Sequence, residues 1–147
     1  MSKALTLTEL LKLQSQVQQV LKQNGLAVTL PNELKNIGEL SNFLFLNKQA
    51  YDAEFTEIID ALPGIEHYTT KERSALWKTW KACHKKMQSL STKELTANEL
   101  EHIKEEFADS FLFIINMMLA LGITEDDLIR HCANKIEINM KRYQSAY

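Results

Sequence analysis

The chain has six residues that break helices readily, Gly25, Gly38, Gly64 and Gly122 with Pro31 and Pro63, among 147 positions, and their scarcity constrains the fold more than any other feature. Few breaks favour long helices over many short strands. Five helical segments are read from apolar period and end signals. The first runs from about Thr6 to Lys22 and stops near Asn24-Gly25, with Leu7, Leu10, Leu11, Leu13, Val17 and Leu21 placed on one side and Gln14, Gln16, Gln18 and Gln19 on the other. After a Pro31-Asn32 break, the second runs from about Glu33 to Leu62. Its seam of Leu40, Leu44, Tyr51 and Ile58 follows seven-residue spacing until Pro63-Gly64 ends it. The third opens with a capping box, Thr69 and Glu72, and continues through the Trp77 to Lys86 region, followed by a loop around Leu90 to Leu95.

The fourth segment also starts with a capping box, Thr96 and Glu99, and carries Leu100, Ile103, Phe107, Phe111, Ile114, Met118 and Leu121 before Gly122 stops it. Residues 111–121 are apolar nearly all round, which predicts a central helix. Thr124, with Asp126 and Asp127 in the first turn, opens the fifth, where acids favour the positive end of the helix dipole. No alternating β-rich stretch, internal repeat or low-complexity segment competes. The expected fold is therefore all-α, a bundle of about five helices forming a single domain over residues 1–147.

Lys and Arg total 17 against 19 Asp and Glu, a net charge of −2, so the chain lacks the cationic field that holds a polyanion and nucleic-acid binding is not expected. No window reaches the roughly 18 uninterrupted apolar residues of a membrane span. The N-terminal apolar stretch contains Glu9 and Lys12. A soluble, cytoplasmic protein without a membrane partner is expected. Cys83 and Cys132 are too few for a disulfide framework in a chain of this size. Each sits beside a histidine, His84 and His131, but the spacing matches no compact zinc motif, so buried thiols beside surface imidazoles are the preferred reading.

Acidic residues interrupt two apolar seams. Along Leu40, Leu44, Asn47, Tyr51 and Ile58, position 54 calls for an apolar residue and holds Glu54, with Glu57 one turn further between Ala53 and Ala61. Spacing of i, i+3 puts both carboxylates on one face. The fourth helix repeats the pattern with Glu106 and Asp109, the last charge before the apolar run from Phe111. Carboxylates forced towards low dielectric are costly unless paired or bound to a cation, and four oxygen ligands from two helices suit Mg²⁺. Taken one at a time, such pairs are also common on solvated helix faces.

Cations and aromatics supply two further patterns. Lys135, Asn139 and Arg142 fall at i, i+4 and i+7 on the last helix, a stripe able to hold a polyphosphate or simply to complement the helix dipole. Trp77, Lys78, Trp80 and Lys81 form a WKTWK cluster, in which the tryptophans are expected to pack their helix onto the bundle while the lysines reach towards phosphate.

Together these blocks resemble the all-α dimeric dUTPases, relatives of the MazG-type nucleotide pyrophosphatases. The likeness is carried by LLKLQ near the N-terminus, EFTEIIDAL with its ExxE pair, WKTWK, EEFADSFLFI with its ExxD pair, and the tail KIEINMKRYQSAY, in the family's order and over about half the chain. The resemblance implies magnesium ligation by Glu54, Glu57, Glu106 and Asp109, and phosphate contacts by Lys78, Lys81, Lys135, Asn139, Arg142 and Tyr147. It places Gln14 close to the base, with Gln18 where the family has an asparagine. The segment PGIEHYTTKERSA is inserted between IIDAL and WKTWK, and Ala146 replaces a glycine.

The implied reaction is hydrolysis of a deoxynucleoside triphosphate to the monophosphate and pyrophosphate, with dUTP the first expected substrate. Two or more Mg²⁺ ions would activate water and neutralise charge, and Glu57 would position or deprotonate that water. A MazG-like enzyme preferring dCTP or several nucleotides is the alternative, and a non-catalytic helical interaction module is a third reading. The resemblance also implies a homodimer.

Overall fold

The computed structural model describes residues 4–26, 29–82, 84, 85 and 94–145. Among the described residues there are five helices and no strand, as an all-α fold requires: α1 (Leu7–Gln23), α2 (Ile37–Asp60), α3 (Thr70–Ser74), α4 (Ala97–Leu121) and α5 (Glu125–Gln144). Short 3₁₀ turns occupy Pro31–Glu33 and Ile65–His67. Among the described residues no single helix is long and apolar enough to cross a membrane.

Side chains set most helix starts. Thr6, Thr69, Thr96 and Thr124 each accept a hydrogen bond from the backbone N–H three residues on, and the acid at that position accepts from the threonine N–H in return. Such reciprocal caps satisfy two otherwise orphaned donors. The second helix begins later than its apolar pattern suggested. Asn36 Oδ1 accepts from Glu39 N–H at 2.9 Å and makes Ile37 the first helical residue, while Glu33 belongs to the preceding 3₁₀ turn. Two helix ends use glycine in the left-handed region: Gly25 at φ 71° after α1 and Gly122 at φ 66° after α4. At each, the next N–H bonds back five residues, Leu26 to Leu21 at 2.8 Å and Ile123 to Met118 at 2.9 Å.

The third helix is shorter than expected. It ends at Ser74, and the chain continues through turns in which Lys78 N–H bonds to Ala75 and Lys81 N–H to Lys78. Ser74 Oγ donates to the Lys71 carbonyl at 2.8 Å, a local bond that competes with helix propagation. Trp77 and Trp80 also fail to anchor it, being 70% and 68% exposed where packing was expected. Cys83, residue 86 and most of the loop expected at Leu90 to Leu95 lie outside the described residues.

The chain divides into two compact units, Met1–Gln49 with Leu112–Tyr147, and Ala50–Phe111. Within the first, Ile115 is fully enclosed and Met118 nearly so, which agrees with a central role for the apolar part of α4. The inward stripe of α1 is Leu7, Leu10, Leu11, Gln14, Ser15, Gln18 and Leu21, whereas Leu13 and Val17 are exposed. Gln14 and Gln18 thus lie on the buried face and not opposite it, because the Asn116 amide on α4 accepts from both of their amino groups. Within the second unit, Ile58, Ile65 and Tyr68 are buried. The inserted segment therefore contributes core, and Arg73 ties it down through 2.6 Å and 3.0 Å bonds to the Asp60 carboxylate and the Ile65 carbonyl.

Truncating the fully enclosed Ile115 leaves a cavity as well as lost transfer energy. Ile115→Ala is expected to destabilise the protein by roughly 2–5 kcal/mol, seen in urea as a lower midpoint with an unchanged slope.

Candidate metal centre

The i, i+3 spacing on α2 and α4 gathers acids in the second unit. One carboxylate oxygen each from Glu54, Glu106 and Asp109 lies within 4.8 Å of the others. An oxygen-ligated dication at about 2.1–2.6 Å from each ligand spans about 4–5 Å between opposite oxygens, so the three fit a single hard cation. Glu57 is not part of this trio. Its side chain is exposed and its carboxyl lies within hydrogen-bonding reach of that of Glu106. Two helices thus bring all four predicted ligands to one cluster, three converging and one flanking.

Electrostatics show what the cluster lacks. Desolvation, followed by the charges of Glu57 and Asp109, pushes the Glu54 carboxyl above its ordinary range. The Glu106 carboxyl is raised first by its hydrogen bond with Glu57, then by desolvation and by the charges of Glu57 and Asp109, while His102 opposes the shift. His102 Nδ1 stands 3.7 Å from Glu106 Oε1, and the Glu106 side chain is 15% exposed. A surplus of negative charge in partly dry surroundings is the condition a bound dication relieves.

The other sequence-derived residues fall in both units. In the second, Lys81 is exposed and Lys78 half-buried, with Lys78 Nζ 5.2 Å from the centroid of Trp77. Trp77 and Trp80 meet edge to face at 6.0 Å. In the first unit, Lys135 and Arg142 are exposed on α5 and Asn139 is half-buried. Tyr147 lies outside the described residues. Cys132 is exposed, against the expectation of a buried thiol, because α5 has no buried residue. His84 is half-buried, not at the surface, and its Nδ1 meets the Leu76 carbonyl at 3.0 Å. Cys83 is outside the described residues.

Gln14 and Gln18 take part in a buried amide chain that the sequence reading missed. Asn116 Oδ1 accepts from Gln14 Nε2 at 2.9 Å and Gln18 Nε2 at 3.1 Å, and Asn116 Nδ2 donates to Asn47 Oδ1 at 3.0 Å. All four residues are at most 8% exposed. The available signals were Asn47 within the α2 seam and Asn116 as the sole polar residue between Phe111 and Leu121. Beside them is a cavity of about 440 Å³, lined by Gln18, Thr29, Asn42 and Asn47 with Phe43 and Leu46 among its apolar walls.

Three relatives are similar to this chain. A dCTP pyrophosphatase of Enterobacteria phage T4 is 30% identical over 117 residues, covering 80% of this chain and 68% of that protein. A dCTP pyrophosphatase of Enterobacteria phage LZ5 is 32% identical over 118 residues, covering 80% and 67%. A DNA replication protein of phage T4 is 31% identical over 113 residues, which are 76% of this chain and 29% of that longer one. No protein-family model and no solved structure matches.

Two outcomes are expected from the cluster. Because Glu54 and Glu106 have folded-state pKa values raised above the ordinary 4.5, their contribution to metal-free stability is present below that pH and is lost as pH rises through the raised values. Ligation requires the deprotonated carboxylates, so the rise in Tm given by Mg²⁺ or Mn²⁺ should be larger at pH 7.5 than at pH 5. Glu54→Gln should raise the metal-free Tm at neutral pH while removing the cation-dependent increment, as followed by differential scanning fluorimetry.

Proposed function

The chain belongs to the family of the phage dCTP pyrophosphatases, and from that premise we propose that it hydrolyses a deoxynucleoside triphosphate to the monophosphate and pyrophosphate. The observation that carries the reading is the convergence of Glu54, Glu106 and Asp109 from two helices on a space fit for one hard cation. The names of the relatives favour dCTP, while the sequence blocks shared with all-α dUTPases favour dUTP.

In this reading Glu54, Glu106 and Asp109 would hold one Mg²⁺, and Glu57 at their flank would share a further one with Glu106. Mg²⁺ held there would neutralise charge at the phosphates and acidify water. Glu57, exposed beside Glu106, accepts a proton from the water that attacks the α-phosphorus. The attacked P–O bond breaks towards the β-phosphate, so pyrophosphate leaves. Lys135, Arg142, Lys78 and Lys81 bind phosphate oxygens, with Asn139 and Tyr147 as further contacts, and stabilise the charge that grows on the leaving group. Gln14 and Gln18 contact the base. A homodimer accords with the exposed apolar residues Ile129, Ile136, Ile138, Met140 and Tyr143 on α5, which a partner would cover.

Purified protein incubated with dCTP, dUTP, dTTP or dATP should release monophosphate and pyrophosphate with Mg²⁺ and none with EDTA. Glu54→Gln should lower kcat at least about 100-fold, beyond the cost of losing an outer-shell partner. Cation-independent turnover, or full activity in that variant, would sink the assignment. Light scattering after size exclusion should give twice the 16.9 kDa chain mass.

A further inference from the structure

One main-chain carbonyl settles the direction of the whole buried amide chain. The Phe43 carbonyl can only accept, so the Asn47 atom 2.8 Å from it is the amino nitrogen. Asn47 Oδ1 must then face a donor, which orients Asn116 with Nδ2 towards Asn47 and Oδ1 towards α1. There, Oδ1 receives the amino groups of both Gln14 and Gln18. Turning either glutamine over would set carbonyl against carbonyl at about hydrogen-bond distance, in surroundings where an unmet polar group is costly. The glutamine amides, which can normally rotate to offer either end, are held with the amino end inward.

What remains for a ligand is the carbonyl end. Among the described residues no hydrogen bond is seen to Oε1 of Gln14 or Gln18. Gln18 is 8% exposed and lines the cavity of about 440 Å³ together with Asn47 and the ring of Phe43. That volume is within the range of small-molecule sites, and the ring offers a face or edge to a planar base.

We propose that Asn116 is a positioning residue for base selection, fixing the Gln18 carbonyl at the cavity wall as an acceptor so that a base with an exocyclic amino group, cytosine, is favoured over uracil. The inference rests on the nucleotide-hydrolysing reading above and deepens it. Cytosine carries a 4-amino donor where uracil carries a 4-carbonyl acceptor. A locked acceptor bonds the first and opposes the second, whereas a freely turning amide accommodates both. Asn47 acts one step further back, transmitting the polarity set by the Phe43 carbonyl.

The test is the ratio of kcat/KM for dCTP to that for dUTP, measured with Mg²⁺ on the full chain. Wild type should favour dCTP by roughly 10- to 100-fold. Asn116→Leu, which frees both glutamines to turn, should cut that ratio at least about tenfold. Asn116→Asp still accepts from both amino groups, and the proton that burial against Asn47 Oδ1 keeps on its other oxygen replaces the lost Nδ2 donor, so it should hold the ratio within about threefold, a distinction that loss of packing alone does not produce. If circular dichroism shows that Asn116→Leu does not fold, Asn47→Leu takes its place, with the same direction expected. A wild-type preference for dUTP, or a ratio unmoved in the leucine variants, overturns the proposal. Turnover of neither nucleotide by wild type overturns the hydrolase reading itself, and this inference with it.

Discussion

Mutual repulsion among the acids of α2 and α4 is the constraint on which the second unit turns. Three carboxylate oxygens within 4.8 Å, with a fourth carboxyl touching one of them, are a net cost to a folded chain unless protons or a cation intervene. The raised carboxyls of Glu54 and Glu106 record that cost. Around the cluster the unit spends much of its limited core, Ile58 and Ser110 on the same two helices and Ile65 and Tyr68 from the inserted segment, on keeping those helices in place. A structure that concentrates charge in this way is organised for a ligand more than for its own stability.

The first unit meets the opposite problem, polar groups carried into an interior, and solves it by pairing each amide with another. Four amides share one chain of hydrogen bonds that ends on a backbone carbonyl. Such a network is tolerable only when each buried member is satisfied, and that condition also gives it a direction. Direction matters because an amide is nearly symmetric in shape but opposite in chemistry at its two ends. A core device of this kind converts a flexible side chain on α1, Gln18, into a fixed hydrogen-bonding group at a cavity wall.

Large apolar side chains nevertheless remain at the surface. Beyond Leu128, α5 is exposed almost throughout, yet it carries two isoleucines, a methionine and a tyrosine in its last turns. Trp77 and Trp80 meet edge to face in solvent, with Lys78 over a ring.

The helix inventory and the acidic pairs were legible in the sequence because both depend on near neighbours. Caps at Thr6, Thr69, Thr96 and Thr124 are local hydrogen bonds, glycine stops at Gly25 and Gly122 are local backbone preferences, and i, i+3 acids share a helix face whatever lies opposite. The inward face of α1 was not legible, since glutamine reads as solvent-facing until an amide from α4 is brought against it. The exposure of the tryptophan pair and of Cys132 escaped for the same reason, because burial depends on which surfaces meet. By itself, then, the sequence determined the helices and which residues could bind a cation. Tertiary structure decided which three carboxylates converge and which end of each glutamine faces outward, because both are distances between residues far apart along the chain.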